Sequence, residues 1–391
     1  MLKHFYFKKD TTDKEDKEDK DIINLLIKLT SDTTIDKIYI NVNEYKSLLK
    51  NKCKIDTHIK IWDKNKKKKN KYELVYISNR NKFYNVADYI PISRSYFKLW
   101  EMLCDIKYSK FISKGPIRTS HIAEGPGGFI EATINYCRLN GIDIEGISAI
   151  TLKEDSKDVP NWNMCHKMIN DNNIQIHYGK DGTGNIYNIQ NVLDFVIKVG
   201  KNSVDIITAD GGFDYSIDYN KQEQLSYRLF LCELTIALSL QKPGGMYVFK
   251  IFDISTKFTI QLLYILYKSY GNLSIVKPYT SRMANSEKYV ICRGFIGISN
   301  ANINNLYNII NKWEDIYPIS IVNMDNIERE FIDKIGKYNE SYIKYQIYNI
   351  NITLSPTTHQ DYKLQVESAY NWCDRYNMPI NMDNKYTNLF K

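Results

Sequence analysis

Between position 91 and about 299, short apolar runs alternate with helix-length amphipathic stretches. That alternation is the mark of a parallel sheet whose strands are joined by crossover helices. The apolar runs predict strands over Thr119–Ala123, Glu145–Thr151, Ile174–Tyr178, Val204–Ala209, Met246–Ile251, Leu273–Lys277 and Tyr289–Ile296. The amphipathic stretches predict helices over Ser95–Ile106, Gly128–Leu139, Lys221–Leu240 and Thr256–Tyr270. The fold class is α/β, a mostly parallel seven-stranded sheet with helices on both faces.

The flanks read differently. Residues 1–21 form a charged arm: from 8 to 21 Lys alternates with Asp and Glu, leaving no apolar face, so disorder is expected. Residues 22–90 read as a small mixed lobe, with an apolar cluster at Ile22–Leu29, strands at Lys37–Val42 and Tyr72–Ser78, and a lysine-rich loop between them. Residues 300–391 are mostly helical, and their scattered aromatics, Tyr345, Tyr348 and Trp372 among them, serve as core or as a stacking surface for RNA.

Charge adds a direction. The chain of 391 residues has 53 basic and 45 acidic side chains, a net of +8. Lys60 to Lys71 alone holds seven lysines against one aspartate, whereas residues 301–391 are net negative. Such a basic stretch is expected either to meet a polyanion or to be a solvated loop. The seven cysteines lie far apart with no Cys-x-x-Cys, which reads as reduced thiols rather than a disulfide framework or a metal site. No stretch nears the roughly 20 apolar residues of a membrane span, and the first residues lack a signal-peptide core. The expectation is a soluble, cytoplasmic or nuclear protein with no membrane partner.

The chemistry begins at Thr119–Phe129, where an apolar strand runs through Glu124-Gly125-Pro126-Gly127-Gly128-Phe129 into a helical pattern. Glycines there allow a tight turn and close backbone approach to a ligand. Alone, the turn fits dinucleotides, phosphates and adenosyl groups alike. The spacing is not Gly-x-Gly-x-x-Gly, and no Gly-Lys-Ser/Thr follows. Glu124, just before the first glycine, would oppose a pyrophosphate but suits a cation, and S-adenosylmethionine carries a sulfonium and an ammonium group. Asp181, in Tyr-Gly-Lys-Asp-Gly-Thr-Gly-Asn after the third strand, is a candidate for the adenine amino group or a turn residue capping Gly182.

Four charged residues fall where strands end or helices begin: Lys98, Asp210, Lys250 and Glu287. Strand ends beside a cofactor are where open α/β sheets bind substrates. A ribose 2′-hydroxyl is a poor nucleophile that must lose its proton as it attacks a methyl sulfonium. A lysine among fixed acids can act as base or stabilise the alkoxide, and no metal is required. The alternative is an ion-pair network bracing the sheet.

Together, Ser-Arg-x-x-x-Lys-Leu, the acid-led Gly-Pro-Gly-Gly-Phe, Asp-Gly-Gly, Phe-Lys and Ser-Glu-Lys-Tyr resemble, in order, the FtsJ-like RNA 2′-O-ribose methyltransferases. The resemblance covers 91 to about 299. It implies a Rossmann-like methyltransferase fold, S-adenosylmethionine as cofactor, and a Lys-Asp-Lys-Glu tetrad at Lys98, Asp210, Lys250 and Glu287. The wording around Tyr96–Glu101, Ala123–Ala132 and Asp158–Trp162 looks more like the cap-directed branch, including forms in large DNA viruses, than the compact bacterial ribosomal enzymes. The implied partners are RNA, at the 5′ end of capped mRNA, and other capping or transcription proteins. One departure stands out: the second strand ends in Thr151-Leu152-Lys153-Glu154-Asp155, which leaves Asp155, Glu154 or a backbone group as the partner of the cofactor ribose. Rival readings are ribose methylation of ribosomal or transfer RNA, a non-catalytic RNA-binding subunit on the same fold, and a small-molecule methyltransferase.

Overall fold

The computed structural model describes residues 4–8, 27–28, 30–77, 81–112, 115–153, 162, 165–212, 218–356 and 362–387. Most of the expected arm, most of Ile22–Leu29, and both Glu154 and Asp155 lie outside the described residues.

The strands are β1 His4–Lys8, β2 Thr30–Ser31, β3 Ile117–Ile122, β4 Ile144–Ile150, β5 Gln175–His177, β6 Val204–Ala209, β7 Gln241–Ile251, β8 Tyr270–Val276, β9 Lys288–Phe295 and β10 Ile319–Ser320. Eight make one sheet in the order β1-β8-β9-β7-β6-β3-β4-β5, while β2 and β10 pair separately. The block β7-β6-β3-β4-β5 is parallel throughout. β9 enters antiparallel between β7 and β8. The chain moves outward from β3 on one side and from β6 on the other, so the gap between their carboxyl ends is a topological switch point.

Side-chain alternation explains the layering. Ile206, Met246 and Val248 join a buried cluster with Phe97, Phe129 and Trp100, from the helices Ser95–Asp105 and Gly128–Leu139. Their neighbours Ile207, Tyr247 and Phe249 point the other way, into a cluster with Phe195, Leu234 and Phe258, from the helices Ile189–Val199, Tyr227–Leu240 and Lys257–Ser269. The period of two puts successive residues on opposite faces, and helices cover both.

All seven expected sheet strands are present within a few residues of their expected ends, and an eighth, β1, pairs antiparallel with the outer edge of β8. The two strands expected in the N-terminal region are not strands. Lys37–Val42 makes an isolated bridge, Ile38 with Thr256, before the helix Val42–Thr57 begins. The Tyr72–Ser78 stretch holds a short 3-10 turn, Glu73–Val75. A short apolar run makes a strand only where a sheet edge takes it. Here Leu74, Val75 and Tyr76 are instead buried beside Val366, Ala369 and Trp372 of the C-terminal helix Tyr362–Arg375. The expected lysine-rich loop starts as the helix Ile59–Asn65. The helix Val42–Thr57 packs along the long helix Arg329–Leu354 through Tyr45, Leu48, Ile343 and Ile350. The single helix expected over Lys221–Leu240 is two, Gln222–Leu225 and Tyr227–Leu240. No helix among the described residues is long and apolar enough to cross a membrane.

Candidate active site

β3 delivers the glycine turn to the switch point. After Ile122 the chain passes Ala123 and the buried Glu124, and Gly127 takes a φ of +106° that a side chain rarely adopts. Gly127, which caps the helix, and Gly128, its first residue, are closely packed. A Cβ at Gly127 would come within 2.9 Å of Met168, and one at Gly128 within 2.1 Å of the Ser95 hydroxyl. Gly125, by contrast, borders a cavity of about 1660 Å³ whose lining also includes Thr151, Leu152, Asp210, Lys250 and Glu287. Phe129 is fully buried against Tyr289, with ring centroids 5.7 Å apart, and Pro126 is half-buried in the turn. Asp181 is exposed and absent from the lining. Its carboxylate accepts from Thr183 N (2.9 Å), Thr183 Oγ1 (2.7 Å), Asn188 Nδ2 (2.8 Å) and Asn191 Nδ2 (2.8 Å), which braces its own loop and lowers its pKa.

Four elements bring the four charged candidates into one cluster. Lys98 Nζ, from the helix Ser95–Asp105, sits 2.9 Å from each Glu287 carboxylate oxygen and 3.4 Å from the Tyr289 hydroxyl. Tyr289 donates to Asp210 Oδ1 at 2.8 Å. Lys250 Nζ, near the end of β7, donates to the Asp210 carbonyl at 2.8 Å and lies 3.3 Å from its carboxylate. The result is a continuous polar path, Glu287–Lys98–Tyr289–Asp210–Lys250, with the Lys250 and Asp210 side chains each 13% exposed to the cavity. Burial would raise the pKa of Glu287, but Lys98, Lys277 and Lys250 outweigh it and hold the carboxyl well below the usual range. It stays an anion.

Tyr289 was not among the sequence candidates, although it is the tyrosine of the Ser-Glu-Lys-Tyr motif. Glu233 is a second omission. It lies fully buried in the apolar run Leu229–Leu234 of the helix Tyr227–Leu240, and a Cβ on Gly211 would come within 2.2 Å of its carboxyl. A lone acid in an apolar run was the available signal. Burial pushes Glu233 up to about 8, and the neighbouring Asp210 adds to this while Lys250 opposes it. Glu124 behaves alike: burial, then Asp210, raises its carboxyl well above the usual range, against Lys250 and a 2.9 Å hydrogen bond from Thr208.

The stretch that ends in Glu287 is tied down on every side. Lys277 Nζ donates to the Glu287 carbonyl at 2.6 Å and Ser281 to its carboxylate at 2.7 Å. Glu101 accepts from the Tyr279 and Thr280 amides at 2.6 and 3.3 Å, and from Trp372 Nε1 at 3.0 Å. Buried Glu73 takes Arg282 and Arg94, each at 2.9 Å. Tyr342 donates to the Asn285 carbonyl at 2.8 Å. Among the described residues no group of His, Cys, Asp or Glu is placed to hold a metal ion.

Residues 91–295 match the FtsJ-like methyltransferase family, slightly over half of the chain. The chain belongs to the FtsJ-like methyltransferases. The cap-specific mRNA (nucleoside-2'-O-)-methyltransferase 1 of Dictyostelium discoideum is 33% identical over 241 residues, covering 58% of this chain and 32% of that protein. The Homo sapiens protein of the same name is 36% identical over 183 residues, 43% of this chain and 22% of that one. That of Trypanosoma brucei brucei is 31% identical over 207 residues, 51% of this chain and 52% of that one. The chain thus spans about a fifth to a half of the length of these relatives. A ribosomal RNA methyltransferase structure from Plasmodium falciparum, described as putative, aligns over 52% of this chain and 98% of its own, at 20% identity and a TM-score of 0.36.

The methyl donor of the FtsJ-like methyltransferases is S-adenosylmethionine, and the residues present fit it. Gly125, Thr151 and Leu152 border the cavity at the ends of β3 and β4. Gly211 and Gly212 present bare backbone beside Asp210, and a Cβ on Gly212 would come within 3.0 Å of the Lys250 ammonium. Asp210 supplies acid for a cationic ligand, and Glu124 lies buried beside it.

Proposed function

We propose that this FtsJ-like methyltransferase transfers a methyl group from S-adenosylmethionine to a ribose 2′-hydroxyl of RNA, at the first transcribed nucleotides beside a 5′ cap. The observation that carries the reading is the unbroken path from Glu287 to Lys250, ending in a lysine that borders the cavity beside the glycine turn. The donor supplies a methyl on a sulfonium, a leaving group already activated. The protein then has to place the hydroxyl and manage its proton. Lys250 would meet the developing alkoxide as the hydroxyl proton leaves for solvent and the donor sulfur departs as a thioether, and its two contacts with Asp210 fix the orientation of the ammonium. Tyr289 donates to Asp210 Oδ1, the same oxygen that Lys250 faces, and so holds the carboxylate in place between them. Lys98 and Glu287 neutralise each other at the far end, so the cluster keeps its geometry without a net charge imposed on the hydroxyl.

Cap-directed relatives support the substrate, as does a basic wall: Lys66, Lys69 and Lys71 line the same cavity. Other capping or transcription proteins are the partners that this substrate implies. The deciding experiment compares methyl transfer to capped and uncapped RNA of one sequence. Transfer to the capped form alone is expected. Equal transfer to both would remove the cap from the reading and leave internal ribose methylation.

A further inference from the structure

The cavity is larger than one small ligand requires. Sites for drug-sized molecules take roughly 300–1,000 Å³, against about 1660 Å³ here. Beyond the glycine turn and the polar path, the lining passes to helices outside the matched region. Tyr345, Tyr348 and Asn349 come from the helix Arg329–Leu354, and Lys66, Lys69 and Lys71 from the end of the helix Ile59–Asn65 and the turn after it. Tyr345 and Tyr348 are three positions apart and share one helix face. Tyr345 is half-buried, and Tyr348 is 61% exposed. The acids on this wall are Asp56 and Asp63, and Asp63 is paired with Lys66 at 2.6 Å.

The adjoining face of that helix, which carries Tyr342 and Gln346, is anchored to the reaction centre. Tyr342 donates to the Asn285 carbonyl at 2.8 Å, and Gln346 Nε2 to the Ala284 carbonyl at 3.2 Å and the Ser286 hydroxyl at 3.3 Å. These positions directly precede Glu287. Whatever rests on Tyr345 and Tyr348 is therefore held at a set distance from Lys98 and Lys250.

We propose that Tyr345 and Tyr348 form a stacking surface for unpaired bases of the RNA strand that carries the reacting ribose, with Lys69 and Lys71 beside its phosphates. The inference rests on the reading of the site as an RNA methyltransferase. Tyrosine faces open to a lysine-lined cleft suit bases, which offer a π-face whatever their sequence. A protein partner's apolar side chain has no use for the lysines.

The test uses the full chain and a fluorescein-labelled capped RNA of ten nucleotides, with binding read by anisotropy. Tyr348→Ala and Tyr345→Leu should each weaken binding roughly tenfold, while Tyr348→Phe keeps the parent affinity. Donor affinity by calorimetry should stay unchanged in all three, which verifies the fold. The salt dependence should also keep its slope in the tyrosine variants, and flatten when Lys69 and Lys71 become Gln. Parent affinity in both Tyr348→Ala and Tyr345→Leu overturns the stacking surface, even if the parent methylates capped RNA. Weakened binding in those variants, in a parent that methylates no RNA, upholds the surface and removes the methyl-transfer reading instead.

Discussion

Lys52 places its ammonium 2.6 Å from the Asp253 carboxylate, and both side chains are less than a tenth exposed. Lys52 belongs to the helix Val42–Thr57, outside the family match, whereas Asp253 stands three residues after Lys250. Ser286, adjacent to Glu287, approaches the same Asp253 oxygen at 3.4 Å. One buried pair therefore joins the N-terminal helix to two segments of the reaction cluster. Burial would raise Asp253, but Lys52 and Lys288 hold it below its ordinary value. Lys52→Met should leave that carboxylate buried without its main partner and cost about 3–5 kcal/mol. Urea denaturation measures it, and a loss under 1 kcal/mol would show the pair to be dispensable.

Lys250→Ala removes the group at the end of the polar path without touching the glycine turn. An interaction made chiefly in the transition state lowers turnover and spares ground-state binding when lost. Methyl transfer should fall about 100- to 10,000-fold, with donor and RNA affinities within a fewfold. Lys250→Arg should rescue poorly, because a planar fork cannot reproduce the two Asp210 contacts of a compact ammonium. Robust transfer by Lys250→Ala would remove this lysine from the chemistry.

Tyr289→Phe keeps the ring that packs on Phe129 and deletes the hydroxyl between Lys98 and Asp210. Hydrogen bonds to charged groups contribute about 1.5–3 kcal/mol. Turnover should drop about tenfold or more, with donor affinity unchanged by calorimetry. An unchanged kcat would confine Tyr289 to packing.

Gly128→Ala should destabilise by about 1–3 kcal/mol through overpacking, because the new methyl meets the Ser95 hydroxyl at 2.1 Å. Adding Ser95→Ala should restore part of the loss, leaving the Ser93 contact at 3.0 Å. Thermal unfolding of the two single variants and the double variant gives the coupling. Strict additivity would mean that the helices separate freely at this point.

Glu233 carries a pH prediction. Its folded pKa, about 8, lies above the ordinary carboxylate value of 4.5. Between those values the unfolded chain gives up this proton and the folded chain keeps it, so the stability contributed by Glu233 is complete below about pH 4.5 and is lost as pH rises toward 8. Glu233→Gln cannot ionise. Urea midpoints at pH 5 and pH 8 should therefore fall less in Glu233→Gln than in the parent, and parallel falls would show that Glu233 titrates normally.

The sheet was legible because a strand covered on both faces is mostly apolar. Val204–Ala209 is buried along its whole length and announces itself in any window. The charged cluster was legible for a related reason: Lys98, Asp210, Lys250 and Glu287 interrupt apolar patterns near element ends, where a buried charge is costly unless it is paired. What periodicity could not supply was the identity of each neighbour. Leu74–Tyr76 has the short apolar run of a strand yet lies against a helix from the far end of the chain, because a strand exists only where a sheet edge accepts its backbone. Asp181 reads as a ligand by position, but its oxygens are taken by Thr183 in its own loop and by Asn188 and Asn191 at the start of the helix that follows. Tyr289 connects Lys98 to Asp210 across positions 79 and 191 residues distant in the chain. Local sequence determines which segments want burial and where charge survives among them; which hydroxyl meets which carboxylate was decided by the crossover order of the strands, which brings distant element ends to one switch point.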